Sequence, residues 1–147
     1  MSDKTKQNRM QNDLARFTEA QARNYHDALS EIRNGRKRTH WMWYIFPQIQ
    51  GLGLSETARF YAIKNRREAE EYAAHPVLGP RLLEISAALL GLKSNDAHAI
   101  LGSPDDMKLQ SSMTLFAALP AAPAVFQQVL DKFYGGAQDE KTLRLLG

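Results

Sequence analysis

The sequence predicts an all-α fold, a compact single-domain bundle of six to eight short helices that buries an aromatic segment at residues 40–47. Three observations support this prediction. Apolar residues recur every three or four positions along most of the chain, which is the period of amphipathic helices. Glycines, prolines and capping residues divide this pattern into pieces of helical length. The 147 residues suit one domain, and no second strand is available to pair with the aromatic segment.

The first residues are expected to differ from the rest. Residues 1–13 are polar and predict a disordered tail without the hydrophobic stretch of a signal peptide, whereas residues 14–147 form the helical domain. A helix is predicted from about Thr18 to Asn34, because apolar residues cluster on the face of Tyr25. Gly35 follows at the position where helices commonly end in left-handed backbone.

The aromatic segment at residues 40–47 reads His-Trp-Met-Trp-Tyr-Ile-Phe-Pro. Its aromatic and β-branched residues favour a strand. A lone strand cannot satisfy its backbone hydrogen bonds, so we predict a short buried helix, with Thr39 available as its N-cap.

The remaining helices are marked by local start and stop signals. They are expected over residues 55–64 with Ser55 as N-cap, from Asn65 onward, over residues 77–90 between Pro76 and Gly91, from Ser94 or Asn95 to Leu101, from Ser103-Pro104 onward, over residues 123–134 before Gly135, and from the cap Asp139 to Leu146.

Composition excludes several classes of protein. The chain is 44% apolar and 24% charged, which is typical of a globular domain. The lack of cysteine excludes disulfide scaffolds, thiolate zinc sites, iron–sulfur clusters and cysteine nucleophiles. The longest apolar run, Trp41–Phe46, is far shorter than the roughly 20 residues of a membrane span. We therefore expect a cytoplasmic protein with no membrane partner.

The net charge of +3 arises in the first 50 residues, where nine Lys and Arg face five Asp and Glu. Its densest part is the stretch that contains Arg33, Arg36, Lys37 and Arg38. This excess is compatible with an anionic partner but does not require one.

Polar residues inside an apolar helix face are candidates for a site. In the helix after Pro104, Lys108 and Ser112 fall inside the apolar arc, and Ser111 lies at its border. Lys108 either reaches solvent or pairs with an acid such as Asp105, or it is a pocket lysine. Asp105 also lies in the first turn, where a carboxylate stabilises the helix dipole without a catalytic role.

Two further polar residues have apolar neighbours. Gln21 lies inside the Tyr25 face, where its amide either joins helices through backbone carbonyls or contacts a ligand. His40 is either a partly buried structural residue or an acid–base group that works near neutral pH.

The loop Gly51–Ser55 is interpreted as a tight turn, with an anion cradle as the alternative. The four histidines lack metal-binding spacing, and we expect neither a metal nor a cofactor.

Two strings are especially distinctive, HWMW at residues 40–43 and SSMTLF at residues 111–116. Further characteristic segments are Arg16-Phe17, Gly35-Arg36-Lys37, Phe46-Pro47-Gln48, Gly51-Leu52-Gly53, Tyr61-Ala62-Ile63, His75-Pro76, Asp105 and Lys108-Leu109. Together, from about Leu14 to the C-terminus, they resemble the domain-of-unknown-function family 1810 (DUF1810). The resemblance implies a small, mostly helical domain and no established reaction. Some bacterial members carry the label calpastatin, a repeat-containing inhibitor, but this chain contains no repeats.

A shorter segment is similar to the NADAR family. Tyr61-Ala62-Ile63-Lys64, an acidic helix and then Gly79-Pro80-Arg81 follow one another as they do in that family. Its members are helical N-glycosidases that act on ribosylated or ADP-ribosylated substrates. The family's glutamate before the lysine is absent here, where Thr57 and Ala58 stand instead.

Three functions follow from these observations. The favoured one is binding of a small anionic or nucleotide-like ligand, with hydrolysis or transfer at an N-glycosidic bond as the suggested reaction. The alternatives are a nucleic-acid module that uses the basic stretch and an exposed tryptophan, and a protein-interaction adaptor. Buried tryptophans around a cleft favour the first function. The predicted catalytic residues are His40, Asp105 and Lys108, and the predicted ligand contacts are Gln21, Trp41, Trp43, Gln48, Ser111 and Ser112.

Overall fold

The all-α prediction is confirmed. The computed structural model describes the backbone of residues 2–147 and the side chains of residues 13–147. Within these bounds there are nine helices and one isolated parallel bridge, between Ile49 and Ile63. The expected disordered tail over residues 1–13 falls almost entirely on residues whose side chains are not described, and it stays a prediction. The helices are α1 (Ser2–Arg33), α2 (Met42–Ile45), α3 (Glu56–Tyr61), α4 (Arg66–Ala74), α5 (Leu78–Leu90), α6 (Ala97–Leu101), α7 (Asp105–Ala117), α8 (Ala124–Tyr134) and α9 (Glu140–Leu146).

Helix α1 begins before the predicted start at Thr18. Leu14 and Phe17 continue the buried face of Tyr25 upstream, so the helix packs against the core over a longer stretch than the sequence pattern suggested. Its end agrees with the prediction, because Gly35 has a positive φ of 81° immediately beyond it.

The aromatic segment is a buried helix of one turn, α2. Trp41 and Phe46 are fully buried, and Met42 is nearly so. Thr39 is not its N-cap, because the Thr39 hydroxyl donates to Glu31 at 2.7 Å. The segment is thus held by packing and by contacts to α1, and not by a local cap.

The predicted caps of α3 and α4 are confirmed. The Ser55 hydroxyl accepts the N–H of Ala58 at 3.1 Å, and the Asn65 side chain accepts the N–H of Glu68 at 2.9 Å. Helix α3 ends earlier than the predicted residue 64, because Ile63 leaves the helix to bond the strand-like segment at residues 48–50.

The starts of α6 and α7 differ from the prediction. Asp96 caps α6 in place of Ser94 or Asn95, because the Ser94 hydroxyl is occupied by the N–H of Asp96. Pro104 takes the N-cap position of α7, and the side chain that accepts a first-turn N–H group is that of Asp106, which bonds Met107 at 2.9 Å. Ser103 therefore does not have the capping role that the sequence suggested.

Helix α7 lies at the centre of the packing and contacts α4, α6, α8 and α9, while α5 packs against α1, α4 and α8. The predicted core residues Tyr25, Leu82, Leu89, Phe116 and Phe126 are all buried. Phe133 is partly buried at the edge of the same core.

Helix α5 begins at a side-chain cap that the sequence did not reveal. The ring atom Nδ1 of His75 accepts the backbone N–H groups of Val77 and Leu78 at 3.0 and 3.2 Å. Burial lowers the pKa of His75, because the charged ring is disfavoured away from water. Protonation would also remove the lone pair that accepts both bonds.

We expect this cap to make stability depend on pH. Because the folded state has the lower pKa, the unfolded chain takes up the proton first, and stability falls as the pH drops through the ordinary histidine range near 6.5. The free energy of unfolding should therefore fall over this pH range. Denaturant unfolding between about pH 7 and pH 5 measures it. His75→Asn, which keeps an acceptor that does not titrate, should flatten this dependence, whereas the exposed His26→Asn should leave it unchanged.

Candidate functional site

The loop between α1 and α2 is organised by one carboxylate, that of Glu31. It accepts the backbone N–H groups of Arg38 and Thr39 at 2.5 and 2.8 Å and the Thr39 hydroxyl at 2.7 Å. It also accepts the indole N–H of Trp41 at 3.0 Å. Partial burial on its own would raise the pKa of Glu31, but these hydrogen bonds favour the ionised form and lower the pKa overall.

Lys37 follows the helix-ending glycine and points into the fold. Its backbone N–H donates to Ile100 at 2.7 Å, which ties the loop to α6. Its ammonium lies 3.0 Å from Oδ2 of Asp105 and 5.3 Å from the ring of Trp41. The Lys37 side chain is 10% exposed, so its charge is largely removed from water.

Lys108 approaches the same carboxylate from α7. Its ammonium lies 3.6 Å from Oδ1 of Asp105 and 5.1 Å from the ring of Trp43. Each oxygen of one carboxylate thus faces one ammonium, and each ammonium lies over one indole ring. We call Lys37, Trp41, Trp43, Asp105 and Lys108 the lysine–tryptophan cluster. The pairing of Lys108 with Asp105 that the sequence suggested is present, and Lys37 is an additional member.

The two serines on α7 have different surroundings. Ser112 is fully buried one helical turn beyond Lys108, and its hydroxyl has no hydrogen-bond partner among the described residues. Ser111 faces another direction, where its hydroxyl bonds the carbonyl of Met107 and the carboxylate of Asp139 at 3.2 and 3.1 Å. Ser111 therefore helps to hold the start of α9 against α7, and neither of these two bonds reaches the lysine–tryptophan cluster.

Gln21 joins three helices. Its amide nitrogen donates to the carbonyl of Tyr44 at 2.7 Å and to the hydroxyl of Tyr72 at 2.9 Å. Its amide oxygen is buried and has no partner in the described part of the chain. Burial raises the pKa of Tyr72, so that its hydroxyl stays neutral next to the amide. These contacts match the helix-joining interpretation, and contact with a ligand stays a prediction.

Trp43 and Gln48 meet in a small recess between α2 and α3. Its other walls include Gly53 and Tyr61. The space inside is about 10 Å³, at the lower limit for a single water molecule. This recess has no room for a ligand unless its walls move.

The remaining catalytic candidate, His40, is exposed. Its carbonyl accepts the Tyr44 hydroxyl at 3.3 Å. Its ring makes no hydrogen bond or ion pair with the residues whose side chains are described. The structure therefore brings together Trp41, Trp43, Asp105 and Lys108, and it leaves His40 outside their contacts.

The sequence does not indicate the roles of two residues of this region. Its charge places Lys37 in the basic stretch, and nothing local indicates that its side chain turns inward. Glu31 gave no signal at all, since its partners lie seven to ten residues later and approach only when the chain reverses at Gly35.

Neither a metal site nor a membrane span is found in the part of the chain that the structure describes. No three His, Asp or Glu side chains there come together as metal ligands. Among the same residues, every helix is too short or too polar to cross a bilayer.

Comparisons with known proteins give a family but no activity. The family model described as "Protein of unknown function (DUF1810)" matches residues 11–146. The crystal structure of the conserved hypothetical protein Rv1873 from Mycobacterium tuberculosis is similar, with a TM-score of 0.89 and 47% sequence identity. The similarity covers 91% of this chain and 96% of that one. No curated protein matches the chain. The chain therefore belongs to the DUF1810 family of proteins of unknown function.

Proposed function

We propose that this domain binds a small anionic, nucleotide-like ligand at the lysine–tryptophan cluster. The observation that carries the proposal is the imbalance of charge there. Two ammonium groups, on side chains 10% and 23% exposed, face a single carboxylate on a side chain 17% exposed. Poorly hydrated cations are costly unless they are paired, and a second anion would provide the missing counter-charge.

The neighbouring groups suit a nucleotide better than a bare inorganic anion. Trp43 is half-buried and offers part of its ring for stacking, whereas Trp41 is fully buried and forms a wall. The hydroxyl of Ser112, one turn from Lys108, has no partner among the described residues but is fully buried, so a ligand would reach it only if the surrounding side chains moved. The full burial of Trp41 also favours this function over a nucleic-acid module built on the tryptophans and the basic stretch.

A thermal-shift titration with inorganic phosphate, ADP and ADP-ribose tests the proposal. Binding at one hundred times Kd adds about 2.7 kcal/mol of stability. For a chain of this size we expect Tm to rise by roughly 5–10 °C with at least one nucleotide. No change in Tm with any of the three ligands would contradict the proposal.

Lys108→Met separates the binding role of Lys108 from a structural one. Asp105 keeps Lys37 at 3.0 Å, so the variant leaves no carboxylate unpaired, and its stability should stay within about 1 kcal/mol of the parent. The ligand-induced rise in Tm should disappear. Lys132→Met is the matched control, because Lys132 also lies over an aromatic ring, 5.4 Å from that of Phe133, but outside the cluster. A control that loses the response, or a Lys108→Met protein that keeps it, rejects the role of Lys108.

We also propose that the bound ligand is cleaved at an N-glycosidic bond. The support is the carboxylate of Asp105, which the two lysines hold beside the proposed ligand, where it would accept a proton from the water that adds at the anomeric carbon as the base leaves. The same samples, incubated with NAD⁺ and separated by chromatography, should release nicotinamide. Binding without any release would leave a ligand-binding domain and refute the reaction.

A further inference from the structure

The lysine–tryptophan cluster balances one negative charge of a ligand and not two. Lys37 and Lys108 lie 3.0 and 3.6 Å from the two oxygens of Asp105, so the cluster carries a single excess positive charge. The three side chains are largely buried, and little water is present to offset an unpaired charge. A second negative charge on a ligand would lie beside the Asp105 carboxylate without a cation of its own.

The charged groups next to the cluster either oppose a second negative charge or lie in water. Glu31 accepts the indole N–H of the buried tryptophan at 3.0 Å, and its charge repels any additional anion. Asp106, the next residue on α7, has its ion-pair partner in His98 at 3.6 Å. Arg36 and Arg38 belong to the same loop as the first lysine, but both are exposed, so water and salt screen their charges.

The hydrogen-bonding capacity of the two lysines gives the same limit. An ammonium group has three N–H groups. In each lysine, one of them faces Asp105 and one faces an indole ring, since the ammonium groups of Lys37 and Lys108 lie 5.3 and 5.1 Å from their ring centroids. Each lysine therefore keeps one N–H group for a ligand, which suits an anion with two acceptor oxygens.

We propose that the anionic group bound at the lysine–tryptophan cluster is a phosphodiester, and that a terminal phosphate is disfavoured there. This inference rests on the proposed function and specifies its ligand. Among the anionic groups of nucleotides, the phosphodiester has one negative charge and two non-bridging oxygens. A terminal phosphate carries close to two negative charges at neutral pH and presents three oxygens. Each phosphate in the pyrophosphate bridge of ADP-ribose carries one charge, which places ADP-ribose in the favoured class.

Isothermal titration calorimetry with AMP and with its methyl phosphate ester tests the proposal. The two ligands share the base, the ribose and the phosphorus, and at about pH 8 they differ by one charge. We expect the parent to bind the ester at least about tenfold more tightly, because the extra charge of AMP is unpaired in a site that holds little water. At about pH 5.5 the preference should fall to about twofold or less, since AMP takes up a proton there. The ester does not titrate in this range and so reports any change in the protein.

Asp105→Asn should remove or reverse the preference for the ester. The variant keeps the shape of the side chain but removes the resident charge, so the two lysines could balance a dianion. At the higher pH, AMP should bind this variant at least as tightly as the ester does. Asp106→Asn is the matched control, because it removes a neighbouring carboxylate that pairs with His98, and it should retain the preference of the parent. Circular dichroism checks that both variants fold, and the pH dependence in the parent tests the proposal if Asp105→Asn does not.

The failure of this inference is distinguishable from the failure of the proposed function. If neither AMP nor the ester binds the parent at either pH, ligand binding at the cluster is refuted, and the phosphodiester preference with it. If both bind, but AMP binds the parent at least as tightly as the ester at the higher pH, only the phosphodiester preference is overturned. The same conclusion follows if the preference is unchanged at the lower pH, or if Asp105→Asn and Asp106→Asn alter it equally.

Discussion

Replacing Glu68 with alanine should lower the free energy of unfolding by about 3–5 kcal/mol, the largest effect we expect from a single polar substitution. Glu68 and Arg16 form an ion pair of 2.6 Å between side chains that are only 7% and 10% exposed. Arg16 also donates to the carbonyl of Ala62 at 2.9 Å, and Glu68 accepts the N–H of Lys64 at 3.2 Å. Without the carboxylate, the Arg16 guanidinium would remain buried without a counter-charge.

Thermal denaturation followed by circular dichroism measures this loss, which corresponds to a fall in Tm of roughly 10 °C. The control is Glu71→Ala, because the i,i+4 partner of Glu71 at 3.3 Å is the largely exposed Arg67, and such a pair should contribute about 0.5 kcal/mol or less. The double variant Arg16→Met and Glu68→Leu should recover most of the stability. A Glu68→Ala protein that melts with the parent would show that this pair does not hold α1 against α4.

Removing the carboxylate of Glu31 should produce the second largest effect. Glu31→Ala deletes the acceptor of four hydrogen bonds and leaves the indole N–H of fully buried Trp41 without a partner. Hydrogen bonds to charged groups contribute about 1.5–3 kcal/mol each, but exposed backbone groups regain water, so we expect a net loss of about 3 kcal/mol. Urea unfolding measures it, with the exposed Glu70→Ala as control.

The pH dependence of stability distinguishes the hydrogen-bonding role of Glu31 from a contribution by packing alone. The pKa of Glu31 is lowered in the folded state, so its contribution is complete above the ordinary glutamate value of 4.5 and is lost as the pH falls below it. The parent should therefore lose more stability than Glu31→Ala between about pH 6 and pH 3. If the stability of the parent and that of Glu31→Ala changed with pH in parallel, the role of Glu31 as an ionised hydrogen-bond acceptor would be contradicted.

Local signals in the sequence predicted much of the fold. Ser55, Asn65 and Asp139 cap their helices as expected, because a cap bonds a backbone N–H group only two or three residues away. The failures occur where a distant group competes for the same side chain. The position of Thr39 predicts an N-cap for α2, but its hydroxyl instead donates a hydrogen bond to Glu31 of the preceding helix.

The sequence indicates part of the lysine–tryptophan cluster for the same reason. The position of Lys108 inside an apolar arc follows from helical periodicity, and its acid Asp105 lies one turn away on the same helix. Lys37 arrives from a different part of the chain, and its ammonium is placed by the turn at Gly35 and the contact with Ile100. Such a convergence depends on tertiary packing, which no local pattern encodes.

The most direct test of ligand binding at the lysine–tryptophan cluster is a ¹H–¹⁵N spectrum of the two indole N–H groups, recorded during titration with ADP-ribose. The signal of Trp43, whose ring lies beneath Lys108, should shift progressively and saturably. The signal of Trp41, whose N–H is bound to Glu31 inside the fold, should shift less. Both responses should vanish in Lys108→Met. Indole signals that stay in place, or a Trp43 shift that survives in Lys108→Met, would contradict ligand binding at this cluster.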